Sequence, residues 1–142
     1  MITKEFTYVD YNGVTRKETH RFHFTLQEIT SMELGVDGGF TNMLKKLSDK
    51  IAVPELERIL KTLIDKSYGV MSDDGRKFVK REEYLEDFKS TEMYSQLYME
   101  LLQDSQAALA FIKGTFPVMT EEQKREFNAQ LAEAMPNANI TV

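Results

Sequence analysis

A chain of 142 residues that is 42% hydrophobic and 29% charged has the composition of one soluble globular domain, and at this length roughly 70% of the unfolded surface can be buried without covalent staples. The absence of cysteine removes disulfides, thiolate chemistry and cysteine zinc sites, and fits a reducing cytoplasm. A formal charge of −5 with both signs interspersed leaves no cationic face for nucleic acid; no secretory leader opens the chain and no window nears the ~18 apolar residues of a bilayer span, so membrane roles are not expected either.

The first element is a β-hairpin, about residues 3–9 and 14–24. Phe6 and Tyr8, then Phe22 and Phe24, fall at period two, and Asn12-Gly13 between them supplies the positive φ of a tight turn. A lone hairpin is marginal in water, so its aromatic face must rest on the helices that follow or on another subunit. Its open edges are templates for pairing with another chain.

Thr25 and Glu28, in TLQE, form a capping box that starts a short helix to about Leu34, stopped by GVDGG at 35–39. Thr41 caps a second helix carrying Met43, Leu44 and Leu47 at helical spacing. In PELERILKTLIDKSYG, Leu56, Ile59, Leu60, Leu63 and Ile64 complete one amphipathic face, with Pro54 at the helix start and Gly69 just past its end. A helix over about 80–89 buries Leu85 and Phe88. Ser90 or Thr91 caps the next, whose stripe of Met93, Tyr94, Leu97, Tyr98, Leu101 and Leu102 is wide enough to face two neighbours. Asp104 or Ser105 starts AALAFIKG, with Gly114 as its stop and Pro117 beyond. TEEQ at 120–123 is a second capping box, opening a helix to about Met135 whose thin apolar face makes residues 118–142 a mobile or partner-dependent appendage. The expected fold class is α+β and predominantly helical. It comprises a hairpin over 1–24 packed on a bundle of about five to six helices, as a single domain over 1–117, followed by a C-terminal helix and flexible tail over 118–142.

The stretch with most chemical promise is KSYGVMSDDGRKF, 66–78. A calcium loop of EF-hand type needs a glycine at its sixth position and a glutamate at its twelfth, and neither falls there when Asp73 or Asp74 is taken as the first ligand. A phosphate loop needs four residues between its glycines and a hydroxyl after the lysine, and GVMSDDGRK offers neither. The stretch reads instead as a turn between two helices, with Gly69 ending one of them and Asp73, Asp74 and Gly75 shaping the bend.

His20 and His23 are the only histidines. Strand alternation puts their rings on opposite faces, so they cannot chelate together, and His20 shares parity with Phe22 and Phe24 as a partly buried strand residue. No serine sits in a nucleophile elbow. Paired acids such as Glu82-Glu83 and Glu121-Glu122 suit helix first turns. No catalytic, cofactor-binding or metal-binding residue is therefore assigned, and no cofactor is expected. Five of the methionines, Met32, Met43, Met93, Met99 and Met119, offer adaptable apolar contact, in a core or on a surface that accepts varied partners. Residue chemistry alone reaches a soluble, mostly helical domain with an N-terminal hairpin that acts as an interaction protein, with a small non-enzymatic adaptor or regulatory protein as the alternative function.

The ordered landmarks K-S-Y-G, S-x-D-G-[KR]-x-F, T-x-x-Y-S-x-L-x-M-E-L and A-x-x-F-I-x-G-x-x-P over residues 66–117, with the hairpin at 2–24 and GGFTNMLKK, resemble the tail assembly chaperones of long, non-contractile-tailed bacteriophages, especially those infecting Gram-positive bacteria. The resemblance implies a non-enzymatic protein of the host bacterial cytoplasm. Such a protein binds the long helical tape measure protein, keeps it soluble, helps the major tail tube protein assemble around it, self-associates, and leaves before the virion is finished. Many family members also occur in a longer, frameshifted form, which would place the segment after Pro117 near the frameshift point. Candidate partner-binding residues are Tyr68, Tyr94, Tyr98 and Phe116, whose ordinary alternative is core packing.

Overall fold

The computed structural model describes residues 1–35, 53–118 and 120–134. The expected helix capped by Thr41 lies outside them. The N-terminal strands β1 (Ile2–Val9) and β2 (Thr15–Phe22) pair antiparallel, from Ile2 opposite Phe22 to Val9 opposite Thr15. Their turn is closed by Asp10, whose Oδ1 accepts the N–H groups of Asn12 and Val14, each at 2.9 Å, while Oδ2 takes Arg16 Nε at 2.6 Å. The Arg16 bond, then the Val14 N–H, hold the Asp10 carboxyl below its usual range. Gly13 supplies the positive φ, +81°.

The helix α1 (Leu26–Gly35) starts at a complete capping box: Thr25 N–H donates to Glu28 Oε1 at 3.0 Å and Glu28 N–H to Thr25 Oγ1 at 3.1 Å. The amphipathic helix α2 (Val53–Ser67) buries Ile59, Leu60, Leu63 and Ile64, the face its spacing predicts. The next segment corrects the sequence reading. Residues 68–79 form two short strands, β3 (Tyr68–Met71) and β4 (Phe78–Val79), in place of a bend between helices. They extend the hairpin into a four-stranded sheet of order β1-β2-β3-β4, through Phe22 opposite Tyr68 and Arg21 opposite Gly69. Gly69 is thus a strand residue and no helix terminator. A Cβ there would lie 2.5 Å from Phe78 Cε2, so its lack of a side chain lets the Phe78 ring lie across the strand.

The remaining helices are α3 (Glu82–Lys89), α4 (Glu92–Gln103), α5 (Ser105–Gly114) and α6 (Glu121–Ala134). Thr91 occupies the N-cap of α4, but its hydroxyl donates back to Phe88 O at 2.7 Å and closes α3 instead. Asp104 caps α5 through Gln106 and Ala107 N–H. Helix α5 ends at Gly114 as expected, but without the positive φ of a glycine stop: the residue is the last of the helix, and a Cβ there would press on Ile2 Cδ1 at 3.1 Å. Close approach of β1 explains this glycine. The second capping box is complete, with Thr120 N–H on Gln123 Oε1 at 3.0 Å and Gln123 N–H on Thr120 Oγ1 at 3.1 Å.

The core lies where the inner face of the sheet meets α2, α3, α4 and α5. Phe88 is its hub, stacked on Tyr68 with centroids 4.5 Å apart and edge-on to Phe6 at 5.9 Å and Phe22 at 5.8 Å, while Phe22 meets Phe111 at 5.1 Å. The sheet joins the helices through a second, polar junction that no local pattern announces. Lys80 Nζ donates to His23 O at 2.6 Å, Lys66 O at 2.8 Å and Glu28 Oε2 at 2.6 Å, with its charge 5.0 Å from the Phe24 ring centroid. One ammonium thereby ties the end of β2, the end of α2 and the start of α1. Burial lowers the Lys80 pKa against the pull of Glu28. For Glu28, burial pushes upward but the bonds from Lys80 and Thr25 outweigh it, and its carboxyl sits below the usual range.

Two stability predictions follow from these junctions. Gly69→Ala should cost about 1–3 kcal/mol in denaturant unfolding, with most of the loss recovered when Phe78→Ala is added. Lys80→Met should cost about 2 kcal/mol at neutral pH, because it strands two carbonyls and a carboxylate. The stability Glu28 contributes is complete above its unfolded pKa and is lost as pH falls through its depressed folded value. The gap between Lys80→Met and the wild type should therefore narrow in acid; a gap constant from neutral pH to pH ~3 would contradict the ion pair's role.

Candidate partner-binding surface

Helix α4 determines what the domain shows to a partner, because three of its sides face different surroundings. Met93, Leu97 and Leu101 are buried in the core. On the flank toward α2, Tyr94 and Tyr98 are half-buried, and their hydroxyls donate to Asp65 Oδ1 at 2.8 Å and Glu57 Oε1 at 2.6 Å. Burial, then the Asp65 carboxylate, raises the Tyr94 pKa; burial, then Glu57, pushes Tyr98 up to about 12. Lys89 and Lys61 lie over the two rings, at 5.6 Å from each centroid. These tyrosines are held neutral and oriented, with part of each ring open to solvent.

The other flank of α4 faces β1. Gln96 Nε2 donates to Thr7 O at 3.2 Å and Lys4 Nζ lies 3.1 Å from Glu100 Oε2. Toward the hairpin turn the two elements diverge and leave an open groove of about 550 Å³ between Thr7–Tyr11 and the Glu92, Ser95, Gln96 and Met99 side chains. Its apolar positions are unusually open: Val9 is 55% exposed, Tyr11 76% and Met99 42%. Tyr11 reaches Ser90 O at 3.3 Å, which steadies the turn against the end of α3. A thioether, an aromatic ring and a valine flanking a polar floor can accept an apolar side chain of another protein and adapt to its shape.

The four tyrosine and phenylalanine candidates are not brought together. Tyr68 and Phe116 are 5% and 6% exposed and pack the core. Burial, then the charges of Asp87 and Glu18, push the Tyr68 hydroxyl up to about 12, and its oxygen lies 3.1 Å from His20 Nδ1. Tyr94 and Tyr98 share the α2 flank. Val9 and Tyr11 carried no signal in the sequence beyond being hydrophobic residues beside a turn, and Met99 was one of several methionines.

The acidic bend at 72–75 is built as a strand connection. Asp74 Oδ1 accepts from Ser72 Oγ at 2.6 Å and Arg76 N–H at 3.0 Å, Gly75 takes φ +75°, and Lys77 N–H donates to Ser72 Oγ at 3.0 Å. The Ser72 and Arg76 bonds lower the Asp74 pKa. Asp74 thus satisfies its own turn, and among the described residues no three His, Asp or Glu side chains converge as metal ligands would. His20 sits within the aromatic cluster, 4.9 Å from the Phe88 centroid, whereas His23 packs edge-on to Phe78 on the other side. No described helix is long and apolar enough to cross a membrane.

No curated protein and no solved structure matches this chain. A family model does: the one described as phage tail assembly chaperone matches residues 1–141, taking in the hairpin, the acidic bend and every described helix. A hairpin-edged sheet on a helical bundle, with an apolar groove on its surface, is the form this chain gives to that assignment, and the chain belongs to the phage tail assembly chaperone family.

Proposed function

We propose that this protein binds the tape measure protein in the host bacterial cytoplasm, keeps it soluble, promotes assembly of the major tail tube protein around it, and is absent from the finished virion. The reading is carried by membership of the tail assembly chaperone family across nearly the whole chain, and it is supported by the open groove between the hairpin turn and α4. A tape measure helix exposes apolar side chains at helical spacing, which the Val9, Tyr11 and Met99 groove takes up one at a time. Tyr94 and Tyr98 widen the contact on the far flank of the same helix. Each contact is small. Many copies bound along one extended partner, and to one another, give avidity through effective concentration, so the coat is tight overall yet removable one copy at a time by tube subunits.

Co-expression with the cognate tape measure protein should move that protein into the soluble fraction and recover it on the tagged chaperone. Tyr11→Ala and Met99→Glu should each reduce recovery about tenfold, the ~1.4 kcal/mol expected of a central apolar contact, with melting temperature unchanged in Met99→Glu, whose side chain is exposed. Tyr11→Phe, the control that removes only the bond to Ser90 O, should retain recovery. Equal tape measure solubility with and without the chaperone would contradict the proposed function, and unchanged recovery with both Tyr11→Ala and Met99→Glu would place the contact elsewhere.

A further inference from the structure

Half of strand β2 has an open edge. Along β2 the even-numbered residues bond to β1 and the odd-numbered ones turn their backbone groups the other way. Two bonds fix this phase: Asp10 N–H donates to Val14 O at 2.8 Å, and His23 N–H donates to Ser67 O at 2.7 Å on the β3 side. Yet β3 meets β2 only at Arg21 and Phe22 before it turns away toward β4. The outward N–H and C=O groups of Thr15, Lys17 and Thr19 therefore have no partner among the described residues. On the outer edge of β1, Gln96 of α4 covers Thr7 O, and α4 stands beside the strand there.

We infer that this edge is a self-complementary interface at which β2 pairs antiparallel with β2 of a second copy about a two-fold axis at Lys17, joining the two sheets into one. In that register Lys17 lies opposite Lys17 and Thr15 opposite Thr19, all in the hydrogen-bonded phase, so every open group named above is satisfied by its symmetry mate. The intervening positions place Arg16 opposite Glu18 twice, and opposite charges at cross-strand positions favour pairing. Arg16 is 57% exposed and holds Asp10 through Nε alone, which leaves its terminal nitrogens for the partner. Glu18 is 41% exposed and would share its carboxylate, since Tyr8 OH donates to Oε2 and His20 Nε2 lies 3.4 Å from Oε1. The two central lysines carry their own counter-charges, since Lys17 Nζ lies 3.5 Å from Glu5 Oε1. Around them the solvent face of the strand is threonine, with no bulky group to block approach. A strand edge of this length makes a reversible, concentration-dependent contact. The interface specifies the self-association within the proposed coat and depends on that reading only for its purpose.

The test uses the full chain. Sedimentation equilibrium should show dimerisation that R16E and E18R each weaken at least tenfold, since one variant sets acid against acid and the other base against base. Mixing the two variants should restore a heterodimer, because the first then presents only acids and the second only bases. The chain has no cysteine, so K17C reports directly: paired residues in this phase have Cα atoms ~5.5 Å apart, within disulfide range. It should cross-link under mild oxidation far faster than T3C, on the same solvent face of β1. A chain that stays monomeric, single variants that associate like the wild type, a mixture that fails to recover, or equal cross-linking of K17C and T3C would each overturn the interface. Tape measure recovery is scored separately: a monomeric chain that still solubilises the tape measure protein sinks the interface alone, and a β2-paired dimer that does not solubilise it sinks the proposed function alone.

Discussion

The contact on which the rest of this fold depends is the Phe88 ring. A two-stranded hairpin is marginal by itself, and here its inner aromatic residues Phe6 and Phe22 reach the helices by packing edge-on to that ring, which in turn stacks at 9° on Tyr68. Such pairs contribute about 0.5–1.5 kcal/mol each beyond area burial. Phe88 also meets Tyr94 of α4, edge-on at 6.0 Å. A single side chain on an eight-residue helix therefore touches three strands and the central helix. Hairpin, second strand pair and bundle should behave as one cooperative unit.

That cooperativity positions the surface. The groove has one wall from β1 and the other from α4, and neither wall is held chiefly by the groove's own side chains: the Phe88 cluster and the Lys80 junction fix the elements from behind. Val9, Tyr11 and Met99 can therefore remain exposed without loosening the fold, which a reusable apolar surface requires. In the proposed role, contact with a partner there would replace water and leave the core undisturbed. The open edge of β2 follows from the same arrangement, because β3 diverges once Tyr68 has dropped into the aromatic cluster.

Local signals in the sequence were legible where local chemistry decides the outcome. Both capping boxes are made by residues three apart, and the apolar face of α2 needs only its own periodicity. The hairpin turn was readable from Asn12-Gly13 for the same reason. The pair β3 and β4 was not, because strands of four and two residues are too short to display a period and are set by pairing with Arg21 and Phe22, far away in the chain. Gly69 resembled a helix stop because its actual constraint, the Phe78 ring, is a matter of tertiary packing. The three acceptors around Lys80 were hidden likewise, whereas burial of Tyr68 and Phe116 is the core-packing alternative that their apolar character already offered. The groove joins segments whose bonded pair, Gln96 and Thr7, is separated by 89 residues, and no local pattern could have assembled it. The family resemblance succeeded because it reads landmarks in order along the chain, and needs no contact map.

Native-state hydrogen exchange on the wild type and on Phe88→Ala tests the single-unit claim most directly. The slowest amides of the hairpin, around Phe6 and Phe22, should share one opening free energy with those around Leu63 and Leu97, and Phe88→Ala should lower all of them together by about 3–5 kcal/mol. Hairpin amides that exchange alone in Phe88→Ala, with Leu63 and Leu97 still protected at wild-type levels, would show that the sheet is an attachment to an independent bundle and would contradict this description of the fold.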